Sequence, residues 1–166
     1  MWLTIKDGMV MATAGIDESN GDGKLILLPK NSFKAAEKLR KQLLNFYKIR
    51  NLGVIISDSR TTPLRRGITG AAIGYAGISG LKKYRGAKDI FGRSFKFSSV
   101  NIPDSLAAAA VLIMGEGAEK IPLALITDVN IKFQNIIDKK ELRISIDEDI
   151  YAPVFGKIRI KNKPFS

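Results

Sequence analysis

The sequence predicts an α+β fold in which a mixed β-sheet carries at least two helices packed on one face. Short alternating or continuously apolar runs, bounded by turn residues, recur along the chain and are typical of strands. Two longer segments carry helix-capping signals. The chain has 166 residues, with no internal repeat and no low-complexity linker. We therefore expect a single domain over residues 1–166, large enough to bury its own hydrophobic core.

The N-terminal part is predicted to hold three strands. Residues 2–6 alternate between apolar and polar side chains and, with residues 9–12 after a turn, predict a β-hairpin. Residues 25–28 predict a short strand. Between the hairpin and this strand lies the most polar and glycine-rich loop of the chain, residues 15–23.

The first helix is predicted to begin at Asn31 or Ser32, either of which can cap it, and to end at about Tyr47. Its apolar side chains recur at helical spacing and form one face, which carries Phe33, Ala36, Leu39, Leu43, Phe46 and Tyr47. The basic side chains are predicted to point away from that face, which leaves them in solvent: Lys34, Lys38, Arg40 and Lys41.

The second helix is predicted to begin at Pro103, where the missing N–H costs no hydrogen bond, and to end at Gly115 and Gly117. Residues 106–114 are apolar on all sides, so we expect this helix to be buried. Further strands are predicted at residues 52–56, at 95–97 with Val100, at 121–126 and, in a charged C-terminal tail from about Asp128, at 142–146 and 157–161.

The chain has no cysteine and no histidine, which excludes several classes of site. Without them there is no zinc site of the usual kind, no thiol nucleophile and no histidine general base. The remaining carboxylates, hydroxyls, lysines and arginines suit magnesium or manganese and phosphoryl chemistry. Lys and Arg number 27 against 16 Asp and Glu, and the net charge of +11 attracts anionic ligands. A lysine-rich proteome would give the same charge without any functional meaning.

Nothing in the sequence predicts a membrane protein. No apolar run is long enough to span a bilayer. The N-terminus carries no signal-peptide pattern. We therefore expect a cytoplasmic location.

A candidate site follows residues 52–56, which predict a buried strand. Asp58 and Ser59 place a carboxylate beside a hydroxyl at the end of this strand, and the pair suits a hard cation. Three arginines within reach of an anion held by that cation come next: Arg60, Arg65 and Arg66. Glycines at positions 67, 70, 74, 77 and 80 would let the backbone approach a ligand closely. A polar junction between strand and loop, with solvated arginines, would give the same pattern.

Three acidic residues are predicted to lie at the ends of strands or helices, where sites are usually assembled: Asp17, Asp58 and Glu116. Each of them alone could be a turn or cap residue. Three carboxylates in glycine-flanked loops together favour a hard-cation site. Asn20 could hydrogen-bond a nucleotide or form an Asx turn.

Residues 81–93 hold five basic residues against Asp89 alone, with Tyr84 and Phe91 between them. Basic side chains interleaved with aromatic ones are found on nucleic-acid-binding surfaces. They suit a phosphate pocket or a contact between subunits equally well. Nucleic acid is therefore not the expected partner.

Five segments occur in the order in which a known family carries them. They are Gly-Ile-Asp-Glu-Ser-Asn (15–20), Ile-Ser-Asp-Ser (56–59), Arg-Arg-Gly-Ile-Thr-Gly-Ala-Ala-Ile-Gly-Tyr-Ala-Gly (65–77), Tyr-Arg-Gly-Ala-Lys-Asp-Ile-Phe-Gly-Arg (84–93) and Met-Gly-Glu-Gly (114–117). Together they resemble the γ-glutamyl ligases that elongate the deazaflavin coenzyme F-420. The match extends from about residue 8 to residue 127.

The resemblance implies amide formation driven by a nucleotide, which is GTP in the family, while ATP stays open here. A substrate carboxylate is phosphorylated by the nucleotide, and the amine of L-glutamate then attacks the acyl phosphate. Magnesium or manganese is the implied cofactor, because a divalent metal bridges the phosphates in such transfers. The family commonly forms homodimers with the site at the interface, so a homodimer is the implied assembly.

The motifs also imply roles for individual residues. Asp17 resembles the family's first metal-binding aspartate, and Asp58 with Ser59 resembles its second metal motif. Asn20 resembles its nucleotide-contacting asparagine. The Met-Gly-Glu-Gly motif resembles the nucleotide-binding loop, which implies nucleotide contacts for Gly115, Glu116 and Gly117 and makes Glu116 a candidate metal ligand. We expect the anionic parts of the substrates to bind Arg60, Arg65, Arg66 and Lys88, and we assign no catalytic residue.

Three departures from the family pattern affect these expectations. The family's chain normally starts upstream, with further nucleotide and metal contacts. We therefore expect either the catalytic part of a ligase or a binding domain that needs a missing N-terminal half for catalysis. The family's Asp-Thr-Phe-Gly-Arg is Asp-Ser-Arg-Thr-Thr-Pro here (58–63), and residues 147–155 also differ. Both features resemble a bacterial branch thought to add glutamate to folate, so folate is the first expected acceptor and the deazaflavin coenzyme the second.

Overall fold

The computed structural model describes residues 3–6, 8–12 and 16–155 of the chain. Within these residues, eight strands form four two-stranded antiparallel sheets, accompanied by three α-helices and one short 3-10 helix. This architecture confirms the predicted α+β class. The sequence also predicts a mixed sheet, whereas every strand pair in the described part is antiparallel.

Two small strand pairs form the N-terminal part. Strand β1 (Leu3–Lys6) pairs with β2 (Met9–Ala12), which confirms the predicted hairpin within the described residues. Strand β3 (Ile16–Asp17) pairs with β4 (Ile26–Leu27), so the strand predicted at residues 25–28 is present but shorter. This pairing brings the two ends of the polar loop between β3 and β4 together.

The longest strand pair joins β5 (Val54–Thr61) to β6 (Ile68–Ala76). Asp58 lies opposite Ala71 and Ser59 opposite Gly70 in this pair. The sequence places Asp58 at the end of a strand, and this is wrong, because β5 continues through both polar residues. Hydrogen bonding to β6 decides the extent of β5, and this tertiary pairing outweighs the weak strand propensity of a Ser-Asp-Ser stretch.

Both long helices lie where the sequence predicts them, and each begins after a capping asparagine. Helix α1 (Ser32–Tyr47) begins after Asn31, whose side chain accepts a hydrogen bond from the Lys34 N–H. Helix α2 (Ile102–Met114) begins after Asn101, whose side chain accepts from the Asp104 N–H. In both helices the cap satisfies a backbone donor that the first turn leaves free.

Strand β6 carries both helices, and its glycines explain how. A Cβ added at Gly70 would lie 2.3 Å from the carbonyl oxygen of Ala107 in α2. A Cβ added at Gly74 would lie 2.4 Å from the carbonyl carbon of Ser32 at the start of α1. These two glycines therefore let helix backbones approach the strand, whereas the sequence analysis expects the approach of a ligand.

The core consists of two apolar clusters around the β5–β6 pair. One contains Ala36, Val54 and Ala76, with α1 side chains packed against it. The other contains Tyr75, Ile78 and Ile102, and it joins β6 to the start of α2. The side chains nearest the helix–strand contacts are small or β-branched, which suits close packing.

Arg40 in α1 is buried, although the sequence predicts it in solvent. It is 8% exposed, its Nε donates to the Leu52 carbonyl at 2.7 Å, and its Nη2 donates to the Asn135 side chain at 3.0 Å. The guanidinium thus links α1 to the chain before β5 and to the chain after α2. Helical spacing places Arg40 off the apolar face, but it cannot show that a distant segment folds over that side of the helix.

The second helix is less buried than its composition predicts. Ala107 is buried against β6, whereas Leu112 and Ile113 are exposed. In the described part, β6 contacts the side of α2 that carries Ala107 and Val111. Within the described residues, no helix has the length and apolar character needed to cross a membrane.

Residues 81–101 form a β-hairpin, which we call the arm. Its strands β7 (Leu81–Lys83) and β8 (Ser99–Asn101) pair antiparallel, and a bridge between Lys88 and Ser94 continues the pairing. The arm leads directly into α2, so its base adjoins the N-terminal end of that helix.

The strand predicted at residues 95–97 is wrong, while Val100 does lie in β8. A turn closed by the Ala87 N–H and the Tyr84 carbonyl interrupts the facing side of the arm. Without a continuous partner, an alternating sequence does not form a ladder. The backbone of residues 96–97 therefore bends.

The chain after α2 is mostly irregular, so the strands predicted at residues 121–126 and 142–146 are wrong. The described residues offer these two apolar stretches no neighbouring strand edge. A short 3-10 helix (Ile146–Glu148) and helix α3 (Ala152–Phe155) end the described part. The strand predicted at residues 157–161 lies outside the described residues.

Replacing Gly70 by alanine should lower the free energy of unfolding by about 1–3 kcal/mol, because overpacking forces the backbones of β6 and α2 apart. Denaturant unfolding monitored by circular dichroism measures the change. The matched control is Gly117→Ala, whose new Cβ meets only the movable Glu119 carboxylate, at 3.3 Å. Equal losses in the two variants would contradict the proposed packing constraint.

The buried phenol of Tyr75 is expected to lower the free energy of unfolding at high pH. Burial, with the nearby Glu141 carboxylate as the second cause, raises the pKa of Tyr75 from 10.0 to about 12. The folded state thus keeps this proton to higher pH than the unfolded state, so stability falls as pH rises from about 10 to about 12. In Tyr75→Phe this fall should be shallower, as measured by urea unfolding across that range. The exposed Tyr47→Phe should follow the wild-type curve, and identical slopes for all three proteins would refute the assignment.

Candidate functional site

The contact between Ser59 and Glu116 is the centre of the candidate site. Ser59 lies in β5, and Glu116 follows the glycine that ends α2. The Ser59 hydroxyl donates a hydrogen bond to Oε1 of Glu116. The fold makes this contact possible because Ser59 faces Gly70 across the strand pair, and α2 rests on that glycine. Two predicted metal ligands that are far apart in the sequence therefore meet.

Asn20 joins the N-terminal loop to the same place. Its Nδ2 donates to the carbonyl oxygen of Gly117 at 3.2 Å, so a residue predicted to contact the nucleotide touches the predicted nucleotide-binding loop. Asn20 has a φ of 55°, a left-handed conformation that asparagine tolerates better than most residues. The structure thus brings together Asn20, Ser59, Gly115, Glu116 and Gly117.

Glu119 also contributes to this loop, although the sequence analysis does not select it. Its Oε2 accepts from the Gly117 N–H at 2.7 Å. The same carboxylate fills the space beside Gly115, since a Cβ there would lie 2.2 Å from the Glu119 carboxyl carbon. The signal for Glu119 in the sequence was a carboxylate two residues after a Gly-Glu-Gly stretch. Only the folded loop shows that this carboxylate turns back to the Gly117 N–H.

The Asp17 carboxylate accepts hydrogen bonds within its own loop, and these favour its ionised form. Its Oδ1 accepts hydrogen bonds from the backbone N–H of Ser19, at 2.8 Å, and from the Ser19 hydroxyl. These bonds favour the ionised form and hold the pKa of Asp17 below its usual value, with the side chain of Ser19 as the largest cause. Asp17 is thus a charged ligand candidate at neutral pH.

Asp58 lies beside a small cavity between β2 and β5. The cavity has a volume of about 10 Å³ and is lined by Met9, Val10, Met11, Asp58, Ser59, Arg60, Ala71 and Ile73, which is space for about one water molecule. Across residues 3–6, 8–12 and 16–155, no three acidic side chains lie close enough together to hold a metal ion. The metal set of Asp17, Asp58, Ser59 and Glu116 therefore stays a prediction.

Three of the four predicted anion-binding residues lie in β5, which carries Ser59, or in the turn that follows it. The Nη2 atom of Arg60 is 4.0 Å from the Asp104 carboxylate, and its buried Nε has no hydrogen-bond partner among the described residues. Arg65 and Arg66 lie exposed in the turn between β5 and β6. That turn begins just beyond the end of β5, about 7 Å along the strand from Ser59.

Lys88 is the exception among these residues, because it lies in the arm. The base of the arm adjoins the start of α2, whereas Glu116 follows the end of this 13-residue helix. A helix of that length spans about 20 Å. Within one chain, the base of the arm and Glu116 therefore lie at opposite ends of α2.

Asp104 is a second acidic residue that the sequence analysis does not select. Its Oδ1 accepts from the Ala72 N–H of β6 at 2.8 Å, and its Oδ2 accepts from the Asn101 side chain at 2.7 Å. It thus ties the first turn of α2 to β6 and faces Arg60. Its position just after Pro103 indicates a helix start, but nothing local indicates the contact with β6.

The sequence of the chain matches a known protein family. A sequence model of the family described as F420-0:Gamma-glutamyl ligase matches residues 1–128. The chain belongs to this family. The resemblance drawn from the five motifs is therefore confirmed at the level of the family.

Several relatives share substantial identity with the chain. It is 41% identical over 146 residues to the coenzyme F420:L-glutamate ligase of Methanococcus maripaludis strain C7, covering 88% of this chain and 58% of the relative. It is 42% identical over 146 residues to the protein of the same name from Methanocaldococcus jannaschii, with the same shares covered. The protein of that name from Methanothermobacter thermautotrophicus is 43% identical over 122 residues, which are 73% of this chain and 48% of the relative. The chain thus spans about 58% of the length of the first two relatives.

Proposed function

We propose that this chain forms the metal- and nucleotide-binding part of a γ-glutamyl ligase, which joins L-glutamate to a carboxylate acceptor. The observation that carries the proposal is the hydrogen bond from Ser59 to Glu116, with Asn20 bound to the adjoining Gly117. Family membership supports the same activity.

The oxygen donors around this contact fit a magnesium or manganese ion. Ser59 and Glu116 supply a hydroxyl and a carboxylate in contact, and Asp58 precedes Ser59 in the strand. Hard divalent cations prefer such ligands. A cation bound here would neutralise charge on the nucleotide phosphates. We propose Asp17 as a further ligand, because it lies in the same polar loop as Asn20, which reaches the carbonyl oxygen of Gly117.

The arginines provide the second part of the proposed chemistry. Arg60, Arg65 and Arg66 lie at the same end of the β5–β6 pair as the Ser59–Glu116 contact. Guanidinium groups bind phosphate and carboxylate oxygens in a planar, bidentate manner. We propose that they hold the nucleotide phosphates and the acceptor carboxylate close to one another, which brings the reacting groups together.

The proposed reaction has two steps. An oxygen of the acceptor carboxylate attacks the terminal phosphorus of GTP or ATP. This step forms an acyl phosphate and releases GDP or ADP. The glutamate amine then attacks the acyl carbon, the C–N bond forms, the C–O bond to phosphate breaks, and the amine loses a proton. Positive charge around the phosphates lowers the barrier of the first step because it stabilises the transferring group.

The acceptor is the open part of this proposal. The relatives' names, coenzyme F420:L-glutamate ligase, favour the deazaflavin coenzyme. The replaced motif at residues 58–63 and the differing residues 147–155 favour folate. We propose the deazaflavin acceptor first and folate second, for a protein located in the cytoplasm.

A second candidate function is that of a partial ligase domain, which binds substrate without turning over nucleotide. It rests on the length of the chain, which spans 58% of a relative such as the Methanocaldococcus jannaschii protein. In that case, nucleotide turnover requires further polypeptide. Nucleotide binding and turnover separate the two candidates.

We further propose that the chain acts as a homodimer. In the described part of the chain, large apolar side chains are exposed, among them Leu112, Ile113, Leu123 and Leu125. Exposed apolar groups of this size are typical of surfaces that an assembly covers.

Nucleotide binding should depend on Asp58 and Glu116. Isothermal titration of GTP and ATP into the chain in the presence of manganese is the measurement. We expect Asp58→Asn and Glu116→Gln each to weaken binding by about tenfold or more, since each removes a charged oxygen ligand. Asp138→Asn is the matched control, because Asp138 lies in an exposed turn after α2. Unchanged affinity in both site variants would refute the site. A wild-type chain that binds nucleotide but does not consume it when acceptor and glutamate are supplied would favour the partial domain.

The acceptor can be identified from the mass of the product. We expect glutamate-dependent formation of a product one glutamyl residue heavier when the deazaflavin coenzyme, nucleotide and manganese are supplied. Folate should give no such product in parallel reactions. A glutamylated folate formed in place of the deazaflavin product would reverse the order of the two acceptors. The Glu116→Gln variant serves as the control for contaminating activity.

A further inference from the structure

The arm presents an apolar tip on a strongly basic hairpin. Residues 81–101 contain six basic residues and one acidic residue. Ile90 is 92% exposed and Phe91 is 83% exposed at the tip, and Phe97 is exposed nearby. Isolated apolar side chains on a surface are ordinary, but a group of large ones on a protruding hairpin is typical of an interaction site.

The arm holds its shape without a partner. Oδ1 of Asp89 accepts from the N–H groups of Phe91, at 2.9 Å, and Arg93, at 2.8 Å, so the one acidic residue shapes the tip. The rings of Tyr84 and Phe95 are 6.1 Å apart. A groove of about 280 Å³ lies beside them, lined by Tyr84, Phe95, Ser98, Ser99 and Val100. A preformed surface loses less conformational entropy on binding than a flexible one.

A complementary surface lies near the end of the described chain. Residues 146–154, which we call the acidic segment, contain Asp147, Glu148 and Asp149 and no basic residue. Ile150 is 85% exposed, and Tyr151 and Val154 are exposed beside it. The segment thus combines exposed apolar side chains with the opposite charge to that of the arm.

Within the described part of one chain, the arm and the acidic segment form no ion pair with each other, since the ion pairs there join Lys41 to Glu37 and Arg60 to Asp104. Two copies related by a twofold axis could form the contact twice, because such an interface uses the same pair of surfaces in both directions. Opposite charge on matching apolar surfaces favours a defined orientation of the two chains.

We infer that the arm of one copy binds the acidic segment of a second copy. This inference rests on the proposed homodimer and names the surfaces that meet. Ile90 and Phe91 provide the apolar contact, and the basic residues of the arm face the three carboxylates of the acidic segment. A nucleic acid would satisfy the arm's charge, but it would leave the acidic segment without a role.

Paired charge reversals test this inference directly. The arm variant is Arg85→Glu with Arg93→Glu and Lys96→Glu, and the segment variant is Asp147→Lys with Glu148→Lys and Asp149→Lys, which changes the net charge of the arm from positive to negative and that of the segment from negative to positive. Each variant alone places like charges at both contacts of its own homodimer. An equimolar mixture forms a heterodimer in which both contacts again join opposite charges. The dissociation constant from sedimentation equilibrium is the measurement, and circular dichroism checks that each variant is folded.

We expect each variant to dissociate at about tenfold higher concentration than the wild type or more, which is a loss of about 1.4 kcal/mol. The mixture should recover a dissociation constant close to that of the wild type. Phe91→Ser should weaken the dimer by a similar factor, since it removes a large apolar contact, while the exposed Leu64→Ser should not. Lys30→Glu with Lys38→Glu and Arg50→Glu, all at exposed positions, is the control for the arm variant's change in net charge and should leave the dimer intact.

The outcomes separate this inference from the homodimer proposal. A wild-type chain that is monomeric at every concentration overturns both. A wild-type dimer whose mixed variants show no recovery overturns the arm contact and leaves the homodimer standing. Binding of a nucleic-acid oligonucleotide that the arm variant loses, while its dimer stays unchanged, overturns the inference in favour of nucleic acid.

Discussion

Direct contact between helix backbones and strand β6 is the constraint on which the rest of this structure depends. Gly70 and Gly74 have no side chains, so α2 and α1 approach the strand at distances that a Cβ would prevent. Ser59 lies opposite Gly70, and Glu116 follows the helix that rests on this glycine. The same close approach that packs the core therefore brings a hydroxyl from β5 to a carboxylate after α2. The absence of a side chain at Gly70 thus allows the contact between Ser59 and Glu116.

Charged side chains lie at both ends of α2. After its C-terminal end, Glu116 accepts a hydrogen bond from Ser59, where the chain is proposed to bind a cation. At its N-terminal end, Asp104 and Asn101 tie the helix to β6, Arg60 faces Asp104, and the basic arm extends from the same end. The 13 residues of α2 keep these ends about 20 Å apart. Strand β5 thus contacts both ends of the helix, through Ser59 at one and Arg60 at the other.

Local signals were sufficient for some elements and not for others. Asn31 and Pro103 located the starts of the two long helices, because capping side chains and the missing proline N–H act on the first turn of a helix alone. The apolar stretch at residues 121–126 was wrongly predicted as a strand, since strand formation needs a distant partner that a sequence pattern cannot show. Burial of Arg40 was missed for the same reason, because its acceptors lie on Leu52 and Asn135.

The sequence by itself determined the α+β class, the two long helices and, through its motifs, the family. These properties depend on residue types and short spacings, which are visible without a fold. Only the tertiary structure decided that Ser59 meets Glu116, that Asn20 meets Gly117 and that the arm begins at the other end of α2. It also assigned Gly70 and Gly74 to helix packing. The physical reason is that contacts between distant segments are set by how backbones pack, and the sequence states side chains but not their neighbours.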